Sequence, residues 1–186
     1  MRIWLIVVLV ALGIGVISLV AKAVLAGTPP TVGSMAPEFT LTSQDGNPIS
    51  LKEFRGKWVV LYFYPKDFTH GCTIEAHNFQ RDQTQYAHKN AVVLGVSVDS
   101  ADSHKQFCTK EGLNFKLLAD SDHKVSGEYG SLMNFGLAKI AARHTFLIDP
   151  QGKIVRAYTS VNPNKHSEEV LAALTELQKG APVAGQ

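Results

Sequence analysis

The sequence contains two cysteines, Cys72 and Cys108, whose thiols are its most reactive side chains. The residues around Cys72 favour a reactive thiol over an inert one. Cys72 follows an apolar run, residues 58–64, at the point where a helix is predicted to begin. The N-terminus of a helix presents free N–H groups and a partial positive charge, which stabilise a thiolate. Thr69 can cap this helix and offer its hydroxyl to the sulfur or to a substrate oxygen. The position of Cys72 therefore predicts a nucleophilic thiol.

The second cysteine, Cys108, leaves a simpler alternative open. In an exported protein, two cysteines most often form one structural disulfide, and the domain would then be a non-enzymatic binding or redox-sensing module. Such a bridge would resist mild reductant, whereas an enzyme needs one that cycles. A thioredoxin-type disulfide oxidoreductase is disfavoured, because Glu75 stands where a Cys-x-x-Cys motif needs its second cysteine.

Strands that alternate with helices must position Cys72. Two continuous apolar runs, residues 58–64 and 91–98, predict central strands buried on both faces. Shorter strands are predicted at 39–42, 48–51, 115–118, 144–149 and 154–158. Helices are predicted over 71–89, 101–111 and 167–177. The last two strands predict a hairpin, and the whole order is typical of an α/β sandwich with a central mixed sheet flanked by helices.

The first segment of the chain differs from the rest. Residues 3–21 carry no charge and approach the length of a bilayer span, which predicts an N-terminal hydrophobic helix. Arg2 would keep the short end in the cytoplasm, so the domain is predicted to be extracytoplasmic, in the periplasm of a bacterium. It would be anchored to the inner membrane by residues 3–21 or exported after cleavage near Ala23 or Ala26. The predicted division is a signal peptide or membrane anchor at 1–26, a linker at 27–34, a domain at 35–179 and a flexible tail at 180–186.

Charge and histidine spacing argue against several other functions. The formal net charge is only +2 and no run of Lys or Arg occurs, so nucleic acid is not an expected partner. The histidines are scattered without ligand spacing, and neither a metal nor another cofactor is predicted. We expect surface positions for His88, His104, His123, His144 and His166.

The residues around Cys72 resemble a known signature. Pro65-x-x-x-Thr69-x-x-Cys72 resembles the signature of peroxiredoxins, and residues 62–76 are similar to the bacterioferritin comigratory protein, or peroxiredoxin Q, branch. Further motifs of that branch follow in order, at 94–99, 115–120 and 143–149, within a resemblance that covers residues 33–178. The resemblance implies a thioredoxin-like fold, a monomer, and a thiol-dependent peroxidase that reduces hydrogen peroxide and organic hydroperoxides.

The resemblance also implies a role for each matching residue. Cys72 would be the peroxidatic nucleophile, which peroxide converts to a sulfenic acid. Pro65 would shield the pocket, and Thr69 would hydrogen-bond the thiolate and the peroxide. Arg143 matches the distant arginine that lies beside the sulfur. An always-charged guanidinium and a helix terminus both favour the thiolate, and the same donors polarise the O–O bond.

The sequence departs from the branch in two places. Many members keep a second cysteine five positions after the first, and here that place is His77. Cys108, 36 positions after Cys72, is similar to the arrangement with the resolving cysteine on the next helix, so the resemblance assigns it that role after local unwinding. The open alternative is a one-cysteine enzyme in which Cys108 is a core residue and an external thiol resolves. His70 replaces the proline that often precedes Gly-Cys. The expected reductant is a thioredoxin-like or membrane-fed thiol.

Overall fold

The structure is a computed structural model that describes residues 25–136 and 138–180. The strands are β1 (Leu25–Ala26), β2 (Thr40–Ser43), β3 (Pro48–Ser50), β4 (Trp58–Phe63), β5 (Ala91–Ser97), β6 (Lys116–Ala119), β7 (Leu132–Asn134), β8 (Lys139–Ala141), β9 (Thr145–Ile148) and β10 (Ile154–Tyr158). The helices are α1 (His70–Arg81), α2 (Gln83–His88), α3 (Ala101–Glu111), α4 (Lys124–Glu128) and α5 (His166–Gly180), with a 3-10 helix at Leu51–Phe54.

A seven-stranded mixed sheet forms the centre, in the order β10-β9-β4-β5-β6-β2-β3. β4 pairs with β5, and β5 with β6, in parallel, whereas the other neighbours in this sheet are antiparallel. A three-stranded sheet joins β1, β7 and β8. The predicted mixed sheet and its β9–β10 hairpin are confirmed, and the sheet with its flanking helices is the thioredoxin-like fold that the resemblance implied.

Strand β4 is buried on both faces, as its apolar run predicted, and all six of its residues are buried. Val60 and Tyr62 lie in one core cluster, together with side chains of α1, α2, α3 and α5. Leu61 and Phe63 lie in the other, with side chains of α4 and the 3-10 helix. Because each fully buried large apolar side chain stabilises the fold by roughly 1.5–3 kcal/mol, the strand that leads to Cys72 is firmly fixed.

The single helix predicted over 71–89 is interrupted in the structure. α1 ends at Arg81 and α2 begins at Gln83, because Asp82 between them adopts φ −96° and ψ 7°. The buried Asp82 carboxylate accepts hydrogen bonds from the Arg81 guanidinium at 2.9 Å and from the Ser167 hydroxyl at 2.7 Å. Asp82, at the break, thus hydrogen-bonds Ser167 on α5, 85 positions away. A local sequence pattern cannot reveal such a distant contact.

Three of the five histidines expected at the surface are instead buried, so that prediction is wrong for His104, His144 and His166. Each ring hydrogen-bonds a polar side chain that is distant in sequence. The partners are Asp67, Ser131 and Thr145, at 2.9, 2.9 and 2.8 Å. Burying a polar ring costs free energy unless it is hydrogen-bonded, so these distant partners permit the burial.

The prediction of a membrane-anchored, extracytoplasmic location is contradicted. Within residues 25–136 and 138–180, no helix has both the length and the apolar character to cross a bilayer. The longest, α5, has 15 residues and carries charged side chains, whereas a span needs about 20 apolar ones. Residues 3–21, on which the prediction rested, and the cleavage position at Ala23 lie outside the described residues.

The predicted linker, residues 27–34, lies along the domain. The Gly33 N–H donates to the Ile154 carbonyl at 2.7 Å, and β1 just before the linker pairs with β7. The boundaries at 26, 34 and 179 remain predictions, and residues 181–186 of the predicted tail at 180–186 are outside the described residues.

Candidate active site

Cys72 lies in the first turn of α1, which follows β4 after the loop 64–69, and only 1% of it is exposed. Thr69 occupies the N-cap position of this helix with extended backbone (φ −81°, ψ 145°). Its side chain does not cap: within the described residues the Thr69 hydroxyl donates to the Lys66 carbonyl at 3.0 Å. Thr69 is therefore the N-cap residue, as predicted, but the predicted hydrogen bond from its side chain to the helix is not formed.

Arg143 brings a permanent positive charge to the sulfur. Its Nη2 donates to Cys72 Sγ at 3.3 Å, although the two residues are 71 positions apart. Its Nη1 forms an ion pair with the Glu75 carboxylate. Burial alone would lower the pKa of Arg143, but the charges of Glu75 and Cys72 raise it. The guanidinium and the N-terminus of α1 together place positive charge beside the sulfur, the arrangement that stabilises a thiolate.

Glu75 belongs to this site as well, and sequence reasoning missed it. It lies three positions after Cys72 on the same face of α1 and is 1% exposed. Burial raises the pKa of Glu75 from its ordinary 4.5 to about 7, although Arg143 opposes the shift. In the described part of the chain, Oε1 of Glu75 has no hydrogen-bond partner. The i, i+3 spacing from Cys72 was the available signal, since such positions share a helix face.

The replacement Glu75→Gln is expected to change how stability depends on pH. The folded protein holds the Glu75 proton up to pH about 7, and the Arg143 contact becomes an ion pair above that pH, while the unfolded chain releases the proton near 4.5. Glu75 therefore stabilises the fold fully below pH 4.5, and this contribution is lost as the pH rises through 7. Relative to Glu75→Gln, the free energy of unfolding of the parent should fall by on the order of 2 kcal/mol across this window. Urea denaturation at several pH values measures the difference, and parallel profiles would contradict it.

The loop before α5 closes the site on the side of Gly71. The Asn78 side chain of α1 donates to the Pro163 carbonyl at 3.0 Å, which holds this loop against the helix. A Cβ at Gly71 would lie 3.4 Å from Arg143 Nη2 and 3.8 Å from Pro163 Cγ. His166 is buried nearby, and burial, with a contribution from Arg143, lowers its pKa to about 4. The neutral ring adds no competing positive charge to the site at neutral pH.

The other two residues predicted for the site lie in different surroundings. Pro65 follows the end of β4 and is half-buried in the loop that leads to Thr69. Cys108 lies on α3, is 7% exposed, and is a free thiol, as is Cys72. Burial, with smaller contributions from nearby carboxylates, raises the pKa of Cys108 to about 12. The structure thus brings Cys72 and Arg143 into contact, and keeps Cys108 as a separate, protonated thiol.

A surface groove of about 320 Å³ lies beside Cys108. Its lining is mainly polar and consists of Gln44, Asp45, Lys105, Cys108, Thr109, Leu113, Asn114 and Lys116. Both cysteines also belong to one core cluster, on the same face of the sheet. Within residues 25–136 and 138–180, no group of three or more His, Cys, Asp or Glu side chains is arranged to hold a metal ion.

The chain is similar to several known proteins, and the matches point to one family. The profile of the AhpC/TSA family matches residues 32–157. The chain is 44% identical over 147 residues to the putative peroxiredoxin bcp of Helicobacter pylori strain J99, across 77% of this chain and 97% of the relative. It is 40% identical over 149 residues to the chloroplastic peroxiredoxin Q of Sedum lineare, across 80% of each.

A solved structure shows the same relationship. The crystal structure of a Xylella fastidiosa PrxQ variant superposes with a TM-score of 0.77 at 34% identity, over 82% of this chain and 99% of that one. The fold, the family profile and the relatives all indicate the same family. The chain therefore belongs to the AhpC/TSA family, on its Bcp and peroxiredoxin Q branch, and is a thiol peroxidase.

Proposed function

We propose that this peroxidase reduces hydrogen peroxide and organic hydroperoxides through a sulfenic acid at Cys72, which Cys108 resolves as an intramolecular disulfide. The observation that carries the proposal is the contact between Arg143 Nη2 and Cys72 Sγ, 3.3 Å long, at the first turn of α1. As a peroxiredoxin, the protein acts on a hydroperoxide substrate and needs a thiol reductant.

In the first step, the Cys72 thiolate attacks one oxygen of the hydroperoxide. An S–O bond forms and the O–O bond breaks, and the departing oxygen takes up a proton and leaves as water or an alcohol. Sulfur is oxidised to the sulfenic acid and the peroxide is reduced. Arg143 and the N–H groups of α1 stabilise the negative charge on the attacking sulfur and the departing oxygen.

Thr69 and Pro65 have supporting roles in this proposal. The Thr69 hydroxyl turns from the Lys66 carbonyl toward the peroxide when substrate enters, because its position at the N-cap places it next to the first turn of α1. Pro65 limits water access from the side of the loop. We further propose that residues 35–179 form the catalytic domain, after a linker at 27–34 and before a tail at 180–186.

In the second step, the Cys108 thiol displaces hydroxide from the Cys72 sulfenic acid, and the products are a disulfide and water. The burial of Cys108 and its pKa of about 12 make it a poor nucleophile while α3 is intact. Resolution therefore requires local unwinding of α3. A thioredoxin-like protein then reduces the disulfide, and we propose that the enzyme works as a monomer.

A one-cysteine mechanism is the second candidate, and the burial of Cys108 is the observation that favours it. An external thiol would then attack the Cys72 sulfenic acid directly, and Cys108 would be a core residue. Oxidation of the reduced protein without added thiol distinguishes the two mechanisms, because only the two-cysteine enzyme loses both thiols in one turnover.

The replacement Cys108→Ser tests the resolving role. After one equivalent of hydrogen peroxide, we expect the parent to form a disulfide with no added oxygen. Cys108→Ser should keep a sulfenic acid that excess peroxide converts to sulfinic acid. Intact mass and thiol counting measure both species, and Thr109→Ala, an exposed neighbour on α3, is the matched control. Equal turnover with dithiothreitol and no overoxidation in Cys108→Ser would favour the one-cysteine mechanism.

A further inference from the structure

A buried polar cluster joins the loop before Cys72 to the helix that carries Cys108. The Asp67 carboxylate accepts hydrogen bonds from the Tyr64 hydroxyl at 2.8 Å, the Ser103 hydroxyl at 2.7 Å and His104 Nδ1 at 2.9 Å. The side chains of Asp67 and His104 are 1% and 0% exposed. This cluster takes no part in the peroxide chemistry described above.

The placement of these residues links the two halves of the proposed reaction. Asp67 lies in the loop that follows β4 and leads to α1, and its backbone N–H donates to Asp99 Oδ2 at 2.9 Å. Ser103 and His104 lie in the first turn of α3, and Cys108 follows His104 by one helical turn. The hydrogen bonds therefore fasten the N-terminal turn of α3 to the loop that shapes the Cys72 site.

The Asp67 carboxylate is held in its charged form by this cluster. Burial would raise the pKa of Asp67, but the hydrogen bonds from His104, Ser103 and Tyr64 outweigh burial and lower it. His104 is held through Nδ1 alone, since its Nε2 has no partner in the described part of the chain. Hydrogen bonds to a buried charge are among the strongest in proteins, and removing one partner weakens the whole docking contact.

An aromatic contact joins the same loop and helix. The Phe68 ring meets the Phe107 ring edge-on, with centroids 5.1 Å apart, and Phe107 directly precedes Cys108. Phe68 has a φ of 61°, in the left-handed region, which is unfavourable for an aromatic residue. Such strain persists only when surrounding contacts hold it. Undocking of α3 would remove the Phe107 contact and let the loop relax.

We infer that the Asp67–His104 hydrogen bond is a latch that limits how fast Cys108 reaches Cys72. The inference rests on the proposed two-cysteine function. With the latch closed, α3 is docked, the loop keeps the shape that reacts with peroxide, and Cys108 is buried. With the latch open, α3 can unwind and deliver Cys108 to the sulfenic acid. His104 is a positioning residue in this scheme, because it acts on the sulfur only through α3.

The latch governs the partition of the sulfenic acid between disulfide formation and overoxidation. Only the opened protein can form the disulfide, so the rate of that step is proportional to the opened fraction. Weakening the latch raises that fraction, and overoxidation by a second peroxide molecule competes less well. Peroxide attack by Cys72 precedes the opening and takes place in the closed protein, so its rate changes little while the opened fraction stays small.

The test compares His104→Ala, which removes the donor, with His104→Asn, whose amide N–H₂ can replace Nδ1. In the full chain, disulfide formation in His104→Ala should be about tenfold faster than in the parent, with less sulfinic acid at high peroxide, as expected for the loss of one hydrogen bond to a charge. His104→Asn should resemble the parent. The rate of sulfenic acid formation should change less than about threefold in both variants.

Ser103→Ala is a second variant, which removes another donor to Asp67 without opening a large cavity, and should act in the same direction as His104→Ala. Hydrogen exchange supplies a readout independent of activity: amides of α3 should exchange faster in His104→Ala and Ser103→Ala than in His104→Asn. Normal sulfenic acid formation with an unchanged or slower disulfide step in both alanine variants would overturn the latch alone. A parent that forms no sulfenic acid would overturn the proposed function, and the latch with it.

Discussion

Replacing Cys72 with serine is expected to lower the rate of peroxide consumption by on the order of 10³-fold or more, while the fold is retained. A serine hydroxyl stays protonated beside Arg143 and cannot form a sulfenic acid, whereas its size is close to that of cysteine in this buried position. The measurement is peroxide consumption with dithiothreitol as reductant, together with a thermal unfolding curve.

The control for this result is Cys108→Ser, which removes the other thiol of the same core cluster. It should keep the first oxidation step and therefore single-turnover peroxide consumption. A folded Cys72→Ser protein that consumes peroxide at a rate similar to the parent would show that Cys72 is not the nucleophile.

Replacing Arg143 with methionine is expected to lower the second-order rate constant for Cys72 oxidation by about 10²–10³-fold, the usual effect of losing one donor that stabilises developing charge. Arg143→Lys should fall between this variant and the parent, because an ammonium keeps the charge but cannot contact Glu75 and Cys72 as the planar guanidinium does. Rapid-quench alkylation of the remaining thiol measures the rate.

Two further variants separate a catalytic effect from a loss of stability. Arg156→Met removes a half-buried arginine on β10 that pairs with Glu176, far from Cys72 in the fold, and it should leave the rate unchanged. Arg143→Met leaves Glu75 buried without its ion-pair partner, so the double variant with Glu75→Gln tests whether any loss comes from misfolding. A rate for folded Arg143→Met within about threefold of the parent would contradict the role of the guanidinium.

Local sequence patterns predicted those features of this protein that are determined by residues close together in the sequence. The apolar run of β4 and the position of Cys72 in the first turn of the next helix were both predictable, since burial and helix initiation have local signals. The hydrogen bond of the Thr69 hydroxyl was not predictable, because the Lys66 carbonyl, only three positions away, is an alternative partner for that hydroxyl. Several turn and cap geometries are compatible with such a sequence, and packing chooses among them.

Long-range partners explain what the sequence could not predict. Arg143 reaches Cys72 across 71 positions, so only resemblance to a family could assign it to the site. The burial of His104 depends on Asp67, and the break between α1 and α2 involves Ser167 of α5. Each of these contacts exists only after the sheet has brought its two segments together, and periodicity carries no signal for it.

The most direct test of Cys72 as the peroxidatic nucleophile is a sulfenic acid trap followed by peptide mass spectrometry. Full-length Cys108→Ser and Cys72→Ser proteins are reduced, freed of reductant, and treated with one equivalent of hydrogen peroxide and a sulfenic-acid-specific nucleophile such as dimedone. We predict an adduct on the Cys72 peptide of Cys108→Ser and none on the Cys108 peptide of Cys72→Ser. An adduct on Cys108, or an unmodified Cys72 under these conditions, would contradict the assignment.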